Sequence, residues 1–246
     1  MKLAYLTLEA PRSDGYGSGP SAVLVHGEGG VPVEDMVGFA RSAGLDGPIV
    51  VAFGNYATTP SGMEVGGLCW YRSLPGDAGT DPLTLTRAVV QLTDLLADVA
   101  DTPTGSRTPA DRPVLVGWRQ GATVAIGAGL LAPGSVGAVV AINVLSSHLA
   151  LLPKSLVASA DGPPVLVVAD GEVEDADPAT ARAELERRGV SASVFGDRQA
   201  GSGARPQTAD GGGTRAGREN GEGPADAVGD FVRRVAHRPV AEGSPP

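Results

Sequence analysis

Short apolar runs alternate with stretches of helical periodicity along most of this chain. Runs of strand length occupy residues 22–25, 48–53, 114–116, 139–142, 163–169 and 190–195. Apolar residues recur at helical spacing in 33–40, 83–99, 179–188 and 226–236, and an Ala-rich apolar stretch begins at 121. Strands that alternate with helices in this way predict an α/β fold with a parallel, doubly wound sheet.

The first 25 residues suggest an edge hairpin. Residues 1–9 alternate apolar and polar side chains loosely, and a Gly/Ser/Pro-rich segment at 11–20 separates them from the apolar run at 22–25. Two short strands joined by such a segment predict a hairpin at the edge of the sheet. The first run is too short for a signal peptide, because Glu9 interrupts it.

One stretch resembles a membrane span, since residues 121–145 carry no charge. Pro133 and Gly134 interrupt it, however, and the β-branched run at 139–142 follows. The pattern therefore favours a buried helix, a turn and a buried strand over a membrane-spanning helix. We expect a soluble, cytoplasmic protein.

Residues 196–224 differ in composition from the rest of the chain. They are rich in glycine, contain almost no large apolar residue, and mix arginine with aspartate and glutamate. Such a segment buries too little apolar surface to offset its ordering entropy, so we predict a flexible loop there and a frayed tail at 238–246. With 246 residues and 42% hydrophobic content, the chain can form one large core, and we expect a single domain over 1–246.

Charge and cysteine content restrict the partners. The formal net charge of −9 disfavours nucleic acid and anionic membranes. A single cysteine, Cys69, excludes an internal disulfide and is consistent with a reducing compartment. The acidic stretch 170–177 does not have the spacing of a calcium loop, so a solvated or arginine-paired loop is expected. The sequence indicates no metal and no cofactor, and it leaves the oligomeric state open.

The central motif lies at residues 112–125. An apolar run stops at Gly117, turns through Trp118, Arg119 and Gln120, and continues as an apolar helix after Gly121. This order predicts a strand, a tight turn and a helix, with Arg119 lifted above the carboxyl edge of the sheet. Arginine cannot act as a nucleophile, because its guanidinium stays protonated and offers no lone pair.

The order of motifs resembles the α/β-hydrolase family, in its phospholipase/carboxylesterase branch that includes acyl-protein thioesterase-like enzymes. Residues 24–30 (LVHGEGG) resemble that branch's L-H-G-x-G-G loop, and Trp70-Tyr71 its W-Y or W-F pair. Residues 116–122 (VGWRQGA) resemble its V-G-F-S-Q-G-A elbow, and Leu145-Ser146 its L-S-G. The resemblance covers residues 22–195 and implies an α/β-hydrolase fold.

The resemblance also implies that the catalytic triad is incomplete. The nucleophile position is Arg119, so acyl-enzyme formation is missing, and the acid position falls on Glu174. The histidine of the family should follow the strand at 190–195, but residues 196–224 contain none and His237 comes too late. Without nucleophile and base, only binding and the oxyanion hole remain.

The oxyanion hole of the family uses backbone N–H groups, which do not depend on the side chain. The resemblance assigns them to Glu28 and Gln120. The remaining candidates surround this position. They are His26 and Gly27 in the loop after the strand at 22–25, Trp70, Tyr71 and Trp118 as pocket walls or core residues, and His148 beyond a strand end.

Arg119 has two possible partners. An anionic ligand would make it functional, whereas Glu172, Glu174 or Asp175 would neutralise it as a structural residue. Both roles can coexist if a ligand displaces the carboxylate.

We therefore predict a hydrolase-fold protein that has lost serine-hydrolase chemistry. It binds a small organic molecule, anionic or phenolic, or promotes its cyclisation, isomerisation or decarboxylation. One alternative is a non-catalytic pseudoenzyme that acts as a protein-interaction or regulatory partner. Another is an esterase with a relocated nucleophile, for which Ser21, Ser146 and Ser147 are candidates, with His148 as the base.

Overall fold

A computed structural model describes residues 2–9, 20–29, 32–57, 67–74, 79–100, 112–159, 162–169, 177–196 and 223–236. The strands are β1 (Ala4–Leu8), β2 (Ala22–Val25), β3 (Ile49–Phe53), β4 (Tyr56–Ala57), β5 (Leu68–Cys69), β6 (Val114–Trp118), β7 (Ala138–Ile142), β8 (Val165–Val168) and β9 (Ala192–Phe195). The helices are α1 (Val33–Ser42), α2 (Pro82–Ala100), α3 (Gln120–Leu131), α4 (Ser146–Leu149), α5 (Pro178–Arg187) and α6 (Pro224–Ala236).

Seven strands form the main sheet, in the order β1-β3-β2-β6-β7-β8-β9. Only β1 is antiparallel to its neighbour, and every other adjacent pair is parallel. The predicted α/β class with a mostly parallel, doubly wound sheet is confirmed. The carboxyl ends of β2, β6 and β7 therefore lie side by side at one edge of the sheet.

The predicted edge hairpin is wrong. β1 is an edge strand, but it pairs with β3, and β2 lies between β3 and β6. The physical reason is burial, because all four residues of β2 are buried whereas most of β1 is exposed. A strand buried on both faces needs parallel neighbours covered by helices, and a hairpin at the sheet edge could not provide them.

Helices cover both faces of the sheet. Buried side chains of α2, α3, α4 and α5 pack on one face, and those of α1 and α6 pack on the other. Helix α3 is buried from Gln120 to Leu130, in agreement with the Ala-rich stretch predicted to be a buried helix. Its burial is possible because alanine and glycine allow close approach to β6 and β7.

The other predicted elements are confirmed within one to three residues at their ends. The uncharged stretch 121–145 forms α3, a single 3₁₀ turn at Pro133–Ser135 and β7. Within the described residues, no helix combines the length and hydropathy needed to cross a bilayer. Helix α4 and the short strands β4 and β5, which form a separate two-stranded sheet, were not predicted. Most of the predicted loop at 196–224, the tail at 238–246 and most of the acidic stretch 170–177 lie outside the described residues.

Candidate ligand site at the elbow

The turn after β6 has the predicted elbow geometry. Arg119 adopts φ 48° and ψ −111°, a conformation that non-glycine residues rarely occupy. Its N–H donates to the Ile142 carbonyl at 2.9 Å, and its own carbonyl accepts from Ala122 N–H at 3.1 Å. These bonds join the strained turn to β7 on one side and to α3 on the other.

Two glycines make this turn possible. A Cβ atom on Gly117 would lie 2.5 Å from the Gly121 carbonyl oxygen. A Cβ atom on Gly121 would lie 2.3 Å from the carbonyl oxygens of both Val25 and His26. The elbow therefore packs backbone against backbone, and the loop after β2 is held beside Arg119.

The Arg119 side chain is exposed. It forms no ion pair or hydrogen bond with any residue in the described part of the chain. The internal partners considered for it, Glu172, Glu174 and Asp175, lie outside the described residues. Glu174 as the acid therefore stays a prediction.

The predicted oxyanion donors flank Arg119. Gln120 follows it directly, and a Cβ atom on Gly27 would lie 3.7 Å from the Arg119 Cβ, so the Gly27-Glu28 loop contacts the elbow. The backbone N–H groups of Glu28 and Gln120 have no acceptor among the residues described. Free N–H groups beside a cation form a site for an anion.

The Gln120 side chain has a role that the sequence did not reveal. It is 3% exposed, its Oε1 accepts from Trp70 N–H at 3.1 Å, and its Nε2 donates to the Tyr71 carbonyl at 3.4 Å. Gln120 thereby attaches the segment 70–71 to the start of α3. The glutamine after Arg119 is visible in the sequence motif, but the motif does not show which residues its side chain binds.

His26 is fully engaged in hydrogen bonds within the core. Its Nδ1–H donates to the Gly27 carbonyl at 2.6 Å, and its Nε2 accepts from Gly54 N–H at 2.9 Å. Burial lowers the pKa of His26, and the bond to Gly27 opposes this only in part. The ring is therefore neutral near pH 7 and has no free nitrogen for a ligand.

The two tryptophans pack on different faces of the sheet. Trp70 is 1% exposed, donates its Nε1–H to the His26 carbonyl at 2.9 Å and lies 5.3 Å from the His26 ring. It is a core residue and does not present its ring to solvent. Trp118 is half-buried and packs edge-on against Phe39 of α1, with the ring centres 5.6 Å apart.

Tyr71 and His148 form a pair that the sequence did not predict. The phenol oxygen of Tyr71 lies 2.8 Å from Nδ1 of His148, and the rings meet edge to face at 5.5 Å. Burial raises the pKa of Tyr71, with a further contribution from the nearby Glu28 carboxylate, and burial lowers the pKa of His148. Both groups are therefore uncharged near pH 7.

The serine candidates have different positions. Ser21 precedes β2, and its backbone carbonyl accepts from Val114 N–H, so it lies at the amino edge of the sheet, opposite the elbow. This placement excludes Ser21 as a nucleophile that uses His148 as its base. Ser146 and Ser147 lie on α4 together with His148, at the carboxyl edge.

Among the described residues, no three His, Cys, Asp or Glu side chains are grouped to hold a metal ion.

A cavity of about 340 Å³ lies between β1 and α2, and none of the predicted site residues lines it. Its lining includes Lys2, Tyr5, Asp94 and Asp98.

No protein-family model matches the sequence, and no curated protein matches it either. Solved structures do resemble the fold. A carboxylesterase from Bacillus cereus is 15% identical with a TM-score of 0.63, over 95% of this chain and 94% of that one. Esterase PE8 is 24% identical with a TM-score of 0.62, over 96% and 100%. YahD, solved with malic acid, is 15% identical with a TM-score of 0.58, over 95% and 99%.

These likenesses confirm the predicted α/β-hydrolase fold. Identities below one quarter show the fold alone, and function has to be argued from the site.

Proposed function

We propose that this α/β-hydrolase-fold protein binds a small organic anion, a carboxylate or a phenolate, at the elbow without forming an acyl-enzyme. The observation that supports this most directly is Arg119, which stands at the nucleophile position, exposed and without a partner in the described part of the chain. The malic acid in the YahD structure is a small dicarboxylate bound by a protein of this fold.

The electrostatics of the elbow support an anion. A cation at the start of α3 faces the positive end of the helix dipole, which is unfavourable unless a negative charge lies opposite. The φ of 48° adds a backbone strain of about 1 to 3 kcal/mol, which glycine would avoid. A purely structural turn would therefore not need arginine, whereas an anion site would use its five donors.

The same groups could stabilise a negative charge that develops during a reaction. Arg119 and the N–H groups of Glu28 and Gln120 are fixed donors suited to an enolate or a phenolate oxygen. Cyclisation, isomerisation and decarboxylation pass through such charges and need no nucleophile. We propose this group of non-hydrolytic reactions as the chemistry that the site could promote.

Arg119→Leu tests the anion site. We expect the affinity for malate and for 4-nitrophenolate, measured by titration calorimetry, to fall at least about tenfold, because charge-assisted hydrogen bonds contribute about 1.5 to 3 kcal/mol. The melting temperature should stay unchanged or rise. Arg233→Leu is the matched control, because Arg233 is also an exposed arginine. It lies in the last turn of α6, and the neighbouring Gly229 packs against the end of α1 and not against the elbow.

A stability cycle separates this proposal from internal pairing. If Glu174 neutralises Arg119, the variants Arg119→Leu and Glu174→Leu should show a coupling of about 1 to 3 kcal/mol and the pocket should bind no acid. That result would favour the non-catalytic pseudoenzyme. Unchanged affinity together with zero coupling would contradict both roles of Arg119.

We also expect no saturable hydrolysis of p-nitrophenyl acetate. Arg119→Ser should not restore it, because general-base catalysis contributes about 100-fold to 10,000-fold and His26 has no free nitrogen. Ser146→Ala and Ser147→Ala are the matched variants for a relocated nucleophile. Saturable turnover that either serine variant abolishes would establish an esterase.

A further inference from the structure

We infer that the hydrogen bond between Tyr71 and His148 presents the Nε2–H of His148 to the ligand, so that the elbow selects acids that also carry a carbonyl group. This inference rests on the proposed anion site at Arg119. It adds a second recognition element, because a carboxylate would bind Arg119 while a carbonyl oxygen would accept from His148.

The first step concerns the direction of the bond between Tyr71 and His148. The phenol is 1% exposed, and burial keeps it protonated, so its O–H has to find an acceptor inside the protein. The His148 Nδ1 lies 2.8 Å from the phenol oxygen. Tyr71 therefore donates, and Nδ1 accepts.

Thr123 does not change this direction. Its hydroxyl oxygen is completely buried and has no hydrogen-bond partner among the described residues, so it does not accept the phenol proton. The acceptor within hydrogen-bond distance of the phenol oxygen is therefore Nδ1 of His148.

The consequence for His148 is a fixed tautomer. A neutral imidazole that accepts at Nδ1 carries its proton on Nε2. In the described part of the structure, Nε2 has no partner, and the side chain is only half-buried. His148 is therefore a neutral donor, and a neutral imidazole N–H can polarise a carbonyl oxygen.

The fold brings this donor to the elbow. His148 lies on α4, just beyond the carboxyl end of β7, and Arg119 lies just beyond the carboxyl end of the neighbouring strand β6. The Gln120 side chain connects the two, because it binds the Tyr71 backbone. Both donors thus lie at one edge of the sheet, beyond the ends of adjacent strands that are about 4.8 Å apart.

The tautomer can be measured directly. Long-range ¹⁵N–¹H spectra of ¹⁵N-histidine-labelled protein at pH 7 should show His148 protonated at Nε2 and His26 protonated at Nδ1. His148→Gln identifies the signal. Tyr71→Phe should convert His148 to a mixture of tautomers and leave His26 as it was, and Tyr5→Phe, on the exposed edge strand, is the matched control. His148 protonated at Nδ1 in the unaltered protein would overturn the inference.

Binding tests the selectivity. At least one of 2-oxopentanoate and 4-oxopentanoate should bind about 2- to 10-fold more tightly than pentanoate, the range expected for one added hydrogen bond. His148→Phe and His148→Ala should both reduce this ratio to about one. A ratio of one in the unaltered protein would overturn the inference.

The two proposals fail in different ways. If Arg119→Leu leaves the affinities for all three acids unchanged, the anion site is wrong. If Arg119→Leu weakens the binding of all three acids, but the oxo acids bind no more tightly than pentanoate to any form of the protein, the anion site stands and the role of His148 is wrong.

Discussion

Replacing Arg188 with methionine should lower the free energy of unfolding by about 3 to 5 kcal/mol, the range for breaking a buried ion pair from one side. Arg188 is 7% exposed, and its Nε–H donates to Glu184 at 3.0 Å. The remaining four guanidinium N–H groups donate to backbone carbonyls at 3.0 to 3.3 Å. These carbonyls belong to Leu149, Leu152, Pro153 and Leu156.

The substitution would leave these carbonyls without their donor and the buried Glu184 carboxylate with only the exposed Arg187 as an ion-pair partner. The carbonyls belong to the last residue of α4 and to the segment after it, so Arg188 also fixes the helix that carries His148. Arg188→Lys keeps the charge, but three rotatable donors cannot replace a planar fork with five, so we expect an intermediate loss.

Arg187→Met is the matched control. Arg187 pairs with the same carboxylate at 2.5 Å, but its side chain is 69% exposed. An exposed ion pair contributes about 0 to 1 kcal/mol, so the loss should be small. Urea unfolding followed by circular dichroism measures all three variants. Equal losses for Arg187→Met and Arg188→Met would show that the buried carbonyl network does not stabilise the fold.

Gly121→Ala should destabilise the protein by at least about 3 kcal/mol or prevent it from folding, because overpacking against rigid backbone is more costly than against side chains. The added Cβ would lie 2.3 Å from two carbonyl oxygens at the end of β2, a central strand. Neither atom belongs to a side chain that could move aside. The gain in helix propensity, about 1 kcal/mol, is too small to offset this.

Gly38→Ala is the matched control, and it should have the opposite sign. Gly38 lies in α1, is exposed, and has no heavy atom within 4 Å of the position of an added Cβ. Alanine there should stabilise the protein by about 0.5 to 1 kcal/mol. Thermal unfolding distinguishes the two variants, and a Gly121→Ala protein as stable as the unaltered one would show that the elbow can open.

The sequence by itself determined the elements and their class. Apolar periodicity is a local property, and it predicted nearly all helices and strands because each one buries a face of fixed spacing. The glycines at 117 and 121 likewise predicted the elbow, since a turn that packs backbone on backbone excludes side chains. The resemblance to the α/β-hydrolase family then predicted a fold that structural likeness confirms.

Only the tertiary structure decided which elements and side chains meet. The partner of β1 depends on competition between strands that are far apart in the chain. The local alternation of apolar and polar residues does not show which strand wins. Tyr71 and His148 are 77 residues apart, and the carbonyls bound by Arg188 lie 32 to 39 residues away. Such polar contacts have no periodic signal. They form because packing buries these groups, and a buried polar group has to find a partner wherever the fold places one.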